Sequence, residues 1–135
     1  MYTVIGPPRT RALRVMWMLN ELGEPFDVDP TGPRDLALAS INPSLKVPIL
    51  KDGNDYVIDS VAICQYLADK HGKFTHKAGT IAQFAVDDVE SCLWIAAKHS
   101  FALPEEYRVP DVKRACRFDF DRAMSTLSVR LGSRD

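Results

Sequence analysis

The stretch NPSLKVPILKDGNDYVIDSVAICQYLADKHG, Asn42 to Gly72, decides how this chain folds. Val47–Leu50 is a β-rich run, yet Pro48 sits inside it and has no N–H to give a sheet ladder. Asp52-Gly53 followed by Asn54-Asp55 is a hairpin-turn signature, so Val47–Leu50 and Tyr56–Ile58 are expected to pair antiparallel. Ser60 then opens a helical pattern through His71. Val61, Ile63, Cys64, Tyr66 and Leu67 give it a broad apolar surface, and Gly72 stops it.

Upstream, Tyr2–Gly6 is a short strand closed by two prolines. A helix is expected from Thr10, as N-cap, to a stop at Gly23. Leu13, Met16 and Trp17 lie on one face and Val15, Leu19 and Leu22 on another, which predicts burial on two sides. Glu24–Pro30 alternates Phe26 and Val28, and its Asp and Pro residues suit an edge strand. A loop and a short weak helix lead to Asn42. The order over residues 1–72 is therefore β-α-β-α-β-β-α. Alternation with helices favours parallel pairing of the first strands, with the hairpin antiparallel on the same sheet.

Residues 73–79 are polar and mark a linker. From Thr80 to about Ala102 the pattern is one long helical run. A loop with Pro104 and Pro110 follows, and Asp111 is expected to cap a helix to about Leu131. Cys116, Phe120, Ala123, Leu127 and Leu131 recur there at steps of three and four. The fold class is thus an α/β domain over 1–72 and an all-α domain over 80–135. Phe120, Leu127 and Leu131 have few partners in a two-helix layer, so the all-α domain is expected to be truncated or covered by another chain.

With 46% hydrophobic residues the chain can build a core, and disorder is disfavoured. A net charge of −1 and the lack of a basic run interleaved with aromatics argue against nucleic acid and anionic membrane as partners. The three cysteines, Cys64, Cys92 and Cys116, are widely spaced among apolar neighbours, which suits core thiols rather than disulfides. No CxxC is present, and the histidines do not fall at metal-ligand spacing with the cysteines, so no metal site is expected. No signal peptide and no bilayer-length apolar stretch are seen, so the expected place is the cytoplasm.

Four segments carry a resemblance. They are RALRVMWMLNELGEPFD (11–27), NPSLKVPIL (42–50), VIDSVAICQYLADKHG (57–72) and HSFALPEEYRVPDVKRA (99–115). Together they resemble the cytosolic glutathione S-transferases of bacterial type, over nearly the whole chain. The resemblance implies a thioredoxin-like first domain and an all-helical second domain. It also implies glutathione as co-substrate, with its thiolate transferred to hydrophobic electrophiles or peroxides in detoxification. It implies a homodimer formed through the first domain and the helix at 80–102, and no metal. A fold does not settle a function, and a non-catalytic interaction module on the same fold is the alternative.

The same resemblance assigns site residues. A cis Val47–Pro48 bond turns the Val47 backbone outward, where its N–H and C=O pair with the cysteinyl part of glutathione as an added strand. A trans proline on an edge strand is the competing reading. Asp59 and Ser60 stand at a helix mouth, where a γ-glutamyl carboxylate meets the Ser60 hydroxyl and free N–H groups while Asp59 pairs with the ammonium. A simple helix cap by Ser60 is the alternative. Lys46 either meets the glycyl carboxylate or is a solvated surface lysine. The loop GPPRTR (6–11) has no Tyr, Ser or Cys to activate the thiol, which leaves Thr10 first and Arg9 second as catalytic candidates. Thr10 equally suits a plain N-cap. Trp94, His99, Phe101 and Tyr107 line the electrophile side by resemblance, or the core by helical spacing.

Overall fold

The protein is seen in a computed structural model that describes residues 1–76 and 81–133, with the side chains of Ile81 and Gln83 left aside. The chain divides into two compact units, Met1–Thr75 and His76–Asp135. The expected helix start at Thr80 and linker positions 77–79 lie outside the described residues.

The first unit holds a four-stranded sheet in the order β2-β1-β3-β4. Its strands are β1 (Tyr2–Ile5), β2 (Phe26–Asp29), β3 (Ile49–Asp52) and β4 (Asp55–Ile58). β1 pairs parallel with β2 and antiparallel with β3, and β3 pairs antiparallel with β4. The charged Phe26–Asp29 strand is at an edge, where its outer backbone groups meet solvent. Asp52 pairs with Asp55, so the hairpin turns on Gly53 and Asn54.

Two helices cover this sheet, α1 (Ala12–Leu22) and α2 (Ser60–His71). Both stop at a glycine in the left-handed region, Gly23 and Gly72. Ala12, Val15 and Leu19 of α1, Val4 and Leu50 of the sheet, and Ile63 and Leu67 of α2 are fully buried in one cluster. Each buried Val, Leu or Ile contributes roughly 1.5–3 kcal/mol by leaving water. The two-sided burial expected for α1 does not hold: Leu13 is 56% and Trp17 65% exposed. Trp17 lies along its own helix instead, its Nε1–H donating to Glu21 Oε1 at 2.8 Å. The weak helix expected before Asn42 is a single 3-10 turn at Leu36–Leu38, capped by the Asp35 carboxylate.

The expected strand Val47–Leu50 begins two residues later, at Ile49. Pro48 has no donor for the ladder, so pairing starts after it.

In the second unit the run Ile81–Ala102 alternates in pitch. It comprises α3 (Ile81–Phe84), a π-helical stretch Ala85–Glu90, α4 (Ser91–Ala97) and a second π-helical stretch Lys98–Ala102. α5 (Val112–Leu131) packs against α4. Asp111 precedes α5, but its side chain makes no capping hydrogen bond, contrary to expectation. Among the described residues of this unit, Cys92, Cys116 and Ala123 are buried. Phe101 and Tyr107 are 70% and 66% exposed, so their spacing does not make them core. Among the described residues no helix is long and apolar enough to cross a membrane.

Candidate functional site

The last rung of the antiparallel ladders joins Ile5 to Ile49 and Ile49 to Ile58. Immediately past that rung the chain leaves the sheet three times. Gly6–Arg11 follows β1, Val47–Pro48 precede β3, and Asp59–Ser60 follow β4. All three candidate segments therefore meet at one end of the sheet.

Packing between the first two segments is close. A β-carbon placed on Gly6 would meet Ala12 Cβ at 3.0 Å and Val47 Cβ at 3.1 Å, and Gly6 has φ +137°. Only glycine fits, because both the backbone angle and the space exclude a side chain. The Val47–Pro48 peptide is cis. Neither the N–H nor the C=O of Val47 has a backbone partner among the described residues. Its side chain packs on the small cluster of Ile5, Leu38 and Ile49.

The loop that delivers Val47 is tied down from several sides. Asn42 is 3% exposed, and its Nδ2 donates to the Lys46 carbonyl at 2.9 Å. Asn42 Oδ1 accepts from the Ser44 N–H and hydroxyl at 3.2 and 2.8 Å. Leu45 takes φ +54°, a left-handed conformation costly for leucine, held by Leu45 N–H to Asn42 O and Arg34 N–H to Leu45 O. The Lys46 side chain is exposed.

At the helix mouth the cap, which the alternative reading gave to Ser60, is made by Asp59. Asp59, at φ +73°, is the N-cap: its Oδ1 accepts from Val61 N–H at 2.9 Å and Ala62 N–H at 3.2 Å. The Ser60 hydroxyl does not cap. Ser60 is 1% exposed, and its Oγ is a buried oxygen with no hydrogen-bond partner. Asp59 has a non-helical backbone and directly precedes the first helical residue, Ser60, so it is the Asp59 side chain that reaches the free N–H groups of the first turn.

On the catalytic side, the Thr10 hydroxyl donates to Pro7 O at 2.7 Å and accepts from Ala12 N–H at 3.2 Å. The Thr10 N–H also bonds Pro7 O. Both Thr10 donors are thus committed to the loop. The Arg9 N–H has no backbone partner among the described residues, and Arg9 is exposed. Cys64, on α2, is held by burial above the ordinary thiol range; Arg14 opposes this and Asp59 adds to it. It stays a thiol at neutral pH and is a poor nucleophile. A groove in the second unit between α4 and α5, lined by Phe84, Cys92, Asp119 and Arg122, holds none of the predicted site residues.

Asn42 was not singled out from sequence, where it read as the residue before a loop proline. The signal available was its polar side chain four residues before Lys46, the spacing of a side chain that folds back on its own loop.

A thioredoxin-like sheet whose internal strand β3 is entered through a cis proline, followed by a helical unit, is the class of fold found in glutathione transferases. Residues 11–75 match the family described as glutathione S-transferase, N-terminal domain. That match covers most of the first unit and no residue of the second. No curated protein matches the sequence. Among solved structures, glutathione transferase F2 from Populus trichocarpa is 20% identical, with a TM-score of 0.79 over 98% of this chain and 71% of that one. The theta class glutathione S-transferase of the citrus canker pathogen Xanthomonas axonopodis pv. citri, solved with glutathione bound, is 18% identical, with a TM-score of 0.74 over 98% and 70%. Ure2p in complex with glutathione is 19% identical, with a TM-score of 0.74 over 98% and 69%. At these identities the likeness is one of fold.

Proposed function

We propose that the first unit binds glutathione across the end of its sheet and that the protein transfers the glutathione thiolate to hydrophobic electrophiles or peroxides. The observation that carries this is the Val47 backbone without a backbone partner among the described residues, at the same end of the sheet as the start of α2, with the Val47 side chain against Gly6. The cysteinyl backbone pairs with Val47 as a short added strand. The γ-glutamyl carboxylate takes the first N–H groups of α2 together with Ser60, whose buried oxygen awaits a partner. Asp59 faces the ammonium and Lys46 the glycyl carboxylate. The thiolate is stabilised from the GPPRTR loop, and the free Arg9 N–H suits that task better than the committed Thr10 hydroxyl. In this reading residues 1–72 form the glutathione domain and 80–135 the helical domain of a cytoplasmic, homodimeric detoxification enzyme. The exposed apolar Tyr56 and Ile58 on the edge strand β4, and Leu93, Trp94 and Ile95 on α4, support a covered face on each unit.

Calorimetric titration with glutathione tests the site. Saturable binding is expected, weakened by Asp59→Ala and by Ser60→Ala; unchanged affinity in both variants rejects it. The thiolate absorbance of bound glutathione tests the chemistry, and a thiol pKa well below that of free glutathione is expected. The Thr10–Pro7 bond favours one second reading, a non-catalytic interaction module, because it leaves no side-chain hydroxyl for the sulfur. Bound glutathione with an ordinary thiol pKa supports that module.

A further inference from the structure

The Lys46–Val47 peptide is one rigid trans plane, so its C=O and its N–H point in opposite directions. The Lys46 C=O is held by Asn42 Nδ2 at 2.9 Å, and Asn42 is itself buried and anchored by Ser44. We infer that Asn42 is a positioning residue for ligand binding: by gripping the Lys46 carbonyl on the inner side it aims the Val47 N–H outward. This rests on the proposed placement of glutathione against Val47.

The two ends of the Asn42 carboxamide do different work. Oδ1 holds the turn at Ser44, whereas Nδ2 alone sets the tilt of the Lys46–Val47 plane. Among the described residues no other hydrogen bond is made to the Lys46 carbonyl or the Val47 N–H, so the Nδ2 grip is the bond that fixes the plane. Leu45, whose left-handed backbone is tied to Asn42 and Arg34, fixes the residue before the plane but not the plane itself. Asn42→Asp keeps the acceptor for Ser44 and replaces the donor by an oxygen that repels the Lys46 carbonyl. Ser44→Ala removes the hydroxyl bond to Oδ1 and leaves the grip on Lys46 intact.

The experiment is a glutathione titration of the full chain and both variants, followed by amide NMR. Asn42→Asp is expected to weaken glutathione binding by about tenfold, the loss of one well-placed hydrogen bond. Ser44→Ala is expected to bind as the parent does. On adding glutathione, the Val47 amide resonance moves in the parent and in Ser44→Ala but not in Asn42→Asp. The Val61 and Ala62 amides at the helix mouth still move in all three. Equal affinity and an equal Val47 shift in Asn42→Asp overturn the inference. A parent that does not bind glutathione fails the proposed function instead, which is a separate outcome. Should Asn42→Asp not fold, the parent alone decides. A scalar coupling across the Asn42 Nδ2–Lys46 carbonyl bond that persists with glutathione bound, together with a moving Val47 amide, supports the role. A coupling lost on binding overturns it.

Discussion

The Thr10 hydroxyl donates to the Pro7 carbonyl oxygen across 2.7 Å. This bond closes the loop ahead of α1 and, with the acceptance from Ala12 N–H, makes Thr10 a local brace. The N-cap position of α1 is Arg11, not Thr10 as expected, so Thr10→Val is expected to lower stability by about 1 kcal/mol as the loss of a loop hydrogen bond. The thiol pKa of bound glutathione is expected to stay where it was. Chemical denaturation and thiolate absorbance give the two readings. A thiol pKa that rises in the variant shows the hydroxyl turning to sulfur after all.

Gly6 tolerates no β-carbon, with φ +137° and two side chains near 3 Å of the position. Gly6→Ala is expected to destabilise by about 2 kcal/mol or more through combined backbone strain and overpacking. Because the displaced atoms are Ala12 Cβ and Val47 Cβ, the damage reaches both sides of the site. Urea denaturation measures it, and a variant as stable as the parent contradicts the close approach.

Asp59 has two assigned tasks that substitution can separate. Asn keeps an oxygen for Val61 N–H and Ala62 N–H, so Asp59→Asn is expected to hold most of the stability. Asp59→Ala is expected to lose about 1 kcal/mol. Both remove the charge proposed to face the glutathione ammonium, so both are expected to weaken binding. Normal affinity in Asp59→Asn leaves Asp59 as a cap alone.

The Asp52 carboxylate accepts from Lys70 and from the Tyr66 hydroxyl, the latter at 2.6 Å. Lys70 first, and Tyr66 second, hold the Asp52 carboxyl below its ordinary range. A lowered folded pKa adds stability above the unfolded value of about pH 4, and that stability fades as pH falls through the folded value. The difference in urea midpoint between the parent and Asp52→Asn is expected to be constant at neutral pH and to close in acid. A gap that persists at the acid end denies the linkage. Tyr66→Phe removes one of the two donors and is expected to cost about 1 kcal/mol.

Much of the scaffold is legible in local pattern. Gly23 and Gly72 end their helices where the residue string places them, because a left-handed stop is a one-residue property. The hairpin at Gly53-Asn54 is legible for the same reason. Pro48 was expected inside a strand and stands just before it, since its missing N–H decides where the ladder can start. Leu13 and Trp17 misled because apolar character shows a preference for burial, not the presence of a neighbour to supply it. The site was legible only in part. Val47, Pro48, Asp59 and Ser60 were singled out, but the alternative reading gave the cap to Ser60. Side-chain type permits either residue to cap, and the +73° backbone angle of Asp59 selects one.

The sequence by itself determined the order of strands and helices and their stops, which rest on periodicity and short motifs, and it carried the resemblance of the first domain to glutathione S-transferases. Tertiary structure alone decided that Gly6, Val47 and Ser60 share one end of the sheet, since that depends on the register of pairs far apart in the chain. It also decided that Asn42 turns inward to hold Lys46 and that the Thr10 hydroxyl is already bonded. A polar side chain has several partners within reach, and only the folded backbone leaves it one.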